Sequence, residues 1–311
     1  MNSTPTCIAC GASDWTIAGL EDRDGKPLRS VACEVCGLIR VDPLPDMGEL
    51  RRFYEEEYRL QYKGIRQPRL KHVYRAGRLA LDRLDTLRTH LPAGGRVLDV
   101  GAGGGEWLYV LEQSGYRPRG IELDAGYGGF AREVLGVDVT ACPMWEASFS
   151  AGSFEVVTLF HVLEHLPEPL TALRQCREWL ADGGRIIVEV PNIGSRHQHP
   201  RKRFHPAHLY GFSPATLRRV LGQAGFAIAF LETGAFDRNI LAVGVKTDEP
   251  CAPSEPEPAG RYSESLWSYY ASPATYWRFG RRMSGLLREA LAVAGQRDAR
   301  SLLDGLIAAH R

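Results

Sequence analysis

The chain has 311 residues, 44% hydrophobic and 24% charged, which suits one large globular domain with an attached module and excludes a fibrous repeat or wholesale disorder. Thirty-eight basic against 37 acidic residues leave a formal charge of +1, so the long-range field of a general nucleic-acid binder is missing. No apolar run reaches the roughly 18 to 20 residues that span a bilayer, and the first residues lack the basic and apolar regions of a secretory leader. A cytoplasmic protein without membrane contact is expected.

Residues 1–45 read as a small turn-rich module that ends at Asp42-Pro43-Leu44-Pro45. Cys7-x2-Cys10-Gly11 and Cys33-x2-Cys36-Gly37 form two knuckles, whose glycines allow the tight turn that brings two thiolates to one ion. Four sulfur ligands close a tetrahedral zinc site and leave no position for water or substrate, so a structural metal is expected at Cys7, Cys10, Cys33 and Cys36. Redox or disulfide chemistry is the alternative. Cys142, Cys176 and Cys251 are scattered and odd in number, which favours a reducing compartment.

Residues 46–92 read as a helical lid or linker: Phe53, Tyr54, Tyr58 and Tyr62 come first, then Ala80, Leu81, Leu84, Leu87 and Leu91 mark one helical face. Pro92, Gly94 and Gly95 end it. Residues 93–246 then alternate as a doubly wound α/β domain with a mostly parallel, seven-stranded sheet. Strands are expected at 97–100, 119–122, near 137–140, 154–160, 185–190, 226–231 and 240–245. Leu170, Leu173, Cys176 and Leu180 share a helical face that the Asp182-Gly183-Gly184 turn stops. Ser213-Pro214 reads as an N-cap with proline at the first helical position, and Gly225 closes that helix. Residues 247–261, with four prolines, read as a linker. Residues 262–311 form a helical extension in which Trp267, Tyr269, Tyr270, Tyr276, Trp277 and Phe279 precede a helix carrying Leu286, Leu287, Leu291, Leu302, Leu303 and Leu306.

The strand Val97-Leu98-Asp99-Val100 runs into Gly101-Ala102-Gly103-Gly104-Gly105, where small residues let a nucleotide-like ligand approach the backbone at a helix start. A dinucleotide fingerprint would need a third glycine at 106, which is Glu106. Asp99 beside the turn suits an ammonium better than a phosphate, and Glu122 at the end of the next strand can accept both hydroxyls of a ribose. With Gly-Ile-Glu at 120–122, Ser-Phe-Glu-Val-Val-Thr-Leu-Phe-His-Val-Leu-Glu-His-Leu at 153–166 and Asp-Gly-Gly at 182–184, the chain resembles the class I S-adenosylmethionine (SAM)-dependent methyltransferases over about residues 96–245. The knuckles and Cys-Gly-Leu-Ile-Arg-Val-Asp-Pro-Leu-Pro at 36–45 look like the subgroup with an N-terminal zinc-binding module.

The resemblance implies SAM as cofactor, with its methionine part on the 101–105 turn (Asp99, Gly101, Gly103), its ribose on Glu122 beside Leu123, and Phe160-His161 under the methyl donor. Family members often carry an acid near position 143 that reads adenine. Ala141-Cys142-Pro143-Met144-Trp145 offers none, which leaves backbone amides near Met144–Ala147 or stacking by Trp145, or Trp145 as plain packing.

In-line methyl transfer needs an oriented acceptor and, for a hydroxyl or ammonium, a base. His161, His205 and His208 are the candidates, each of which could instead make a structural hydrogen bond; His165 and Glu164 read as loop locks. No Asn/Asp-Pro-Pro-aromatic tetrad follows the fourth strand, which disfavours amine methylation of adenine or glutamine. A small-molecule acceptor is expected, methylated on oxygen or nitrogen and of secondary-metabolite, sugar or peptide origin. The alternatives are a non-catalytic SAM-binding zinc scaffold or regulator, or a protein or nucleic-acid methyltransferase. A homodimer is left open.

Overall fold

The computed structural model describes residues 6–45, 48, 67–195, 197–234, 237–249, 270 and 273–311. Phe53, Tyr54, Tyr58, Tyr62, Cys251, Trp267 and Tyr269 lie outside the described residues, as do most of the expected lid and linker. In chain order the module carries β1 (Trp15–Glu21), β2 (Pro27–Cys33) and β3 (Ile39–Val41), followed by α1 (Leu70–Leu87), β4 (Arg96–Val100), α2 (Glu106–Gln113), β5 (Arg117–Glu122), α3 (Ala125–Phe130) and β6 (Val139–Ala141). Then come β7 (Phe154–Phe160), α4 (Pro169–Trp179), β8 (Leu180–Pro191), β9 (Tyr210–Gly211), α5 (Pro214–Gln223), β10 (Phe226–Thr233), β11 (Asn239–Lys246), α6 (Pro273–Val293) and α7 (Ala299–His310).

The main sheet has seven strands in the order β10-β11-β8-β7-β4-β5-β6. β4, β5 and β6 run parallel, whereas β11 is antiparallel to both β8 and β10, so the sheet is mixed. Every strand expected from the sequence is present. Two corrections concern helix ends: Leu180 starts β8 rather than ending α4, and Asp182–Gly184, expected as a turn, lies within that strand with Gly183 at φ +69°. The single C-terminal helix is two, because Asp298 caps a fresh start by accepting from the Ser301 amide at 2.8 Å.

Contact density divides the chain into two compact units, Met1–Asp46 with Leu159–Glu178 and Asp182–Arg278, and Met47–Thr158 with Trp179–Ala181 and Phe279–Arg311. In the first unit the module does not stand alone. Its three strands continue into β9 in a four-stranded sheet, with Ile39 opposite Gly211 and Arg40 opposite Tyr210. The sequence hid this because β9 is two residues long and β1 lacks a strong apolar alternation. Ser213 caps α5 with a reciprocal Ser213–Thr216 box.

In the second unit, α1 buries Val73, Gly77, Ala80, Leu81, Leu84 and Leu87, spacings of three and four that place them on one face. α7 lies on that face: Leu303 is fully buried, and a Cβ at Gly77 would come within 2.4 Å of its Cδ2. Tyr109 donates to Asp304 at 2.6 Å, Arg300 donates to the Leu135 carbonyl at 2.8 Å, and Arg75 pairs with Glu289 of α6. The C-terminal helices are therefore part of this core. Leu303→Ala should lower unfolding free energy by about 2–5 kcal/mol, read by chemical denaturation, whereas Leu286→Ala at an exposed site should change it by less than about 0.5 kcal/mol.

Candidate active site

At the carboxyl ends of β4 and β5 two carboxylates are buried. Asp99, 3% exposed, accepts from the Thr158 hydroxyl of β7 at 2.6 Å. Burial pushes its carboxyl up to about 7, against the pull of that hydroxyl. Glu122, 5% exposed, accepts from the Gly103 amide at 2.7 Å through one oxygen and from the Asp124 amide at 2.9 Å through the other. One side chain thereby fixes the glycine-rich turn and caps the start of the following segment. A carboxylate oxygen has two lone pairs, so these two amide bonds do not by themselves exhaust Glu122 as an acceptor.

Gly101 and Gly103 take φ of +78° and +58°. A Cβ at Gly103 would meet nothing within 4 Å, whereas at Gly105 it would strike Val137 and Ala131. Gly103 therefore faces open space beside the turn, whereas Gly105 serves packing. Leu123 is half-buried. Trp145 is 39% exposed on a short 3-10 turn, Met144–Glu146, whose Glu146 and Ala147 amides bond back to Pro143 and Met144 carbonyls. Those two amides, expected as adenine readers, are already engaged in the turn.

In the first unit, His161 follows β7 with φ +56°, a backbone region that non-glycine residues rarely adopt. Its amide donates to the Glu189 carbonyl at 2.8 Å, its Nε2 lies 3.2 Å from the Glu189 carboxylate, and its Nδ1 lies 3.5 Å from Glu164. Asn239 donates to the same Glu189 oxygen at 2.8 Å. Burial alone would lower the His161 pKa, but the hydrogen bonds to Glu164 and Glu189 outweigh it and raise the ring to about 9. Phe160, the last residue of β7, is half-buried.

The other histidines form a ring stack: His205 on His208 at 4.4 Å and His208 edge-on to His165 at 4.9 Å. His165 donates Nδ1–H to the Ala207 carbonyl at 2.7 Å, the loop lock expected of it. His205 accepts from the Ala207 amide at 3.0 Å, and burial next to Arg23 and His165 lowers it to about 4. His208 is lowered to about 2 by burial and the neighbouring imidazoles. Glu189 and Asn239 escaped sequence reading, although a glutamate inside Ile186-Ile187-Val188-Glu189-Val190 was a readable signal, since a buried strand seldom carries a carboxylate without a task.

In the module, the two knuckles share one backbone pattern: Gly11 donates to the Cys7 carbonyl at 2.8 Å and Gly37 to the Cys33 carbonyl at 2.9 Å, both glycines with φ near +75° (+77° and +74°). The sulfurs lie 3.5 Å apart across the knuckles, Cys7 to Cys36 and Cys10 to Cys33, and all four fall within 4.8 Å of one another. A disulfide would need about 2.05 Å. A zinc tetrahedron with bonds of about 2.3 Å places sulfurs roughly 3.8 Å apart, so the cluster fits that ion. The hydrogen bond to Cys7 and burial push the Cys36 thiol far up.

A mixed seven-stranded sheet whose order reverses beside β4, a glycine turn held by the acid of β5 and an acid at the end of β4 define the class I SAM-dependent methyltransferase fold. Residues 70–229, about half of the chain, match the family described as methyltransferase domain, and the chain belongs to that family. Similar proteins include the ubiquinone biosynthesis O-methyltransferases of Nitrosococcus oceani, 35% identical over 35% of this chain and 50% of that one, and of Aromatoleum aromaticum, 31% identical over 47% and 63%. The chain thus spans about half the length of the curated relatives it matches. A SAM-dependent methyltransferase structure from Archaeoglobus fulgidus aligns with a TM-score of 0.48 at 20% identity, covering 55% of this chain and 94% of that one. Among the described residues no helix is long and apolar enough to cross a membrane.

Because Glu122 accepts from the Gly103 and Asp124 amides, Glu122→Ala should raise hydrogen exchange at those two amides by about tenfold or more. Equal exchange in both proteins would mean that the turn holds itself.

Proposed function

We propose that the chain methylates a hydroxyl oxygen of a small-molecule acceptor with SAM as donor. The observation that carries this reading is His161, held just after β7 in a strained backbone between the Glu164 and Glu189 carboxylates. The O-methyltransferases of ubiquinone biosynthesis among the relatives support oxygen as the acceptor atom.

SAM would be held by Asp99 at its ammonium, by Gly101 and Gly103 at its methionine part, and by Glu122 and Leu123 at its ribose, with Trp145 and Phe160 as apolar contacts. When bound it supplies an activated methyl group. The Asp99 carboxyl, already raised to about 7, loses its proton readily to the field of an ammonium.

The chain's own task is the acceptor proton. His205 and His208 resist protonation, which favours hydrogen-bonding roles for both, whereas carboxylates on either side of His161 stabilise the imidazolium that a base becomes. Cys7, Cys10, Cys33 and Cys36 would hold a structural zinc. Metal analysis should find about one zinc per chain, and Cys33→Ser should lose it.

Only the neutral His161 ring can accept a proton, so its competent fraction grows as pH rises towards about 9. With labelled SAM and 3,4-dihydroxybenzoate as probe acceptor, kcat/KM should climb with pH and level near there. Glu189→Gln withdraws one carboxylate, lowers the ring's pKa and should move that limb to lower pH. A limb at the same pH in the variant would sink His161 as the base, and absence of transfer to any hydroxyl compound would sink the reading itself.

A further inference from the structure

The first unit holds a cavity of about 250 Å³ with an uneven distribution of charge. Four cationic side chains line it, Arg23, Lys202, Arg203 and Arg238, and among its described lining residues there is no carboxylate. Of the nearby acids, Asp24 lies 3.7 Å from Arg23 and offsets that one charge, and Glu189 is engaged by Asn239 and His161. Arg203, 5% exposed, donates to the Ile193 carbonyl, while Lys202 and Arg238 are exposed. Low-dielectric walls carrying one sign of charge concentrate ligands of the opposite sign, and guanidinium and ammonium groups suit phosphate or carboxylate oxygens.

The lining also has an apolar part, Leu28, Ile39, Val41 and Ile193, beside the polar Ser30, Gln198, Tyr210 and Asn239. Leu28, Ile39 and Val41 belong to the module's strands. Val41 donates to the Leu209 carbonyl at 2.9 Å and Arg23 to the Phe204 carbonyl at 2.8 Å, so the module is bonded to the loop that bears His205 and His208. His161, His205 and His208 line the same cavity.

We propose that this cavity receives an acceptor with an acidic group, a phosphate or a carboxylate, held by Lys202, Arg203 and Arg238, and with an apolar body against the β2 and β3 strands of the cysteine module. The inference rests on the reading of His161 as the group beside the acceptor. In it the module is a wall of the acceptor site.

The test is fluorescence titration of the full-length, zinc-loaded protein with 1-naphthyl phosphate, 1-naphthoate and 1-naphthol at roughly 10 mM and 150 mM salt. Either or both acids should bind about tenfold tighter than the alcohol, the two arms telling phosphate from carboxylate, and the preference should shrink at higher salt. It should vanish in the Lys202→Ala/Arg238→Ala double variant, whose exposed positions leave the core untouched, while S-adenosylhomocysteine binding stays unchanged. Naphthol binding as tightly as both acids, or a double variant that keeps the preference, overturns the proposal. The S-adenosylhomocysteine arm separates the two readings: wild-type protein that ignores it while preferring the acids loses the methyltransferase reading and keeps an anion cavity.

Discussion

A carboxylate taken out of water must be given hydrogen bonds, and three buried ones at strand ends organise this protein. Asp99 takes the Thr158 hydroxyl, Glu122 takes two backbone amides, and Glu189 takes Asn239 and His161. Each satisfaction fixes something useful. Asp99 ties β4 to β7, Glu122 shapes the glycine turn, and Glu189 orients an imidazole that its own backbone holds at φ +56°. The need to solvate a charge internally and the placement of the chemistry are met by the same bonds.

The cysteine cluster works at a different scale. A module of about forty residues buries too little apolar surface to be stable by packing alone, and its four thiols are close enough to share an ion. Its third strand then pairs with β9, so the order imposed at the cysteines extends to Tyr210 and to the loop before it. Phe204 packs over Gly19 closely enough that a Cβ there would collide with the ring at 2.4 Å. The module and the loop that bears His205 and His208 are therefore packed and bonded as one piece.

Three histidines that the sequence offers as candidates end in different electrostatic states. His161 faces two carboxylates and is raised, whereas His205 and His208 stack on one another near Arg23 and His165 and are lowered. Residue type alone could not separate them, because the neighbours that decide come from residues tens of positions away, such as Glu189 and Arg23.

The seven strands, the glycine turn with its two acids, the capped α5 and the pairing of the four cysteines are all legible in the order of the residues. Each of these rests on local spacing: periodicity, a cap, a knuckle, a glycine. The remainder depends on the folded chain. The two-residue β9 exists because β3 is there to pair with it, α7 is placed because Gly77 leaves room for Leu303, and Glu189 gains its role because Asn239 and His161 converge on it. Pairing, packing and electrostatic coupling all act between residues distant in the chain, and their energies have no signature in any one segment.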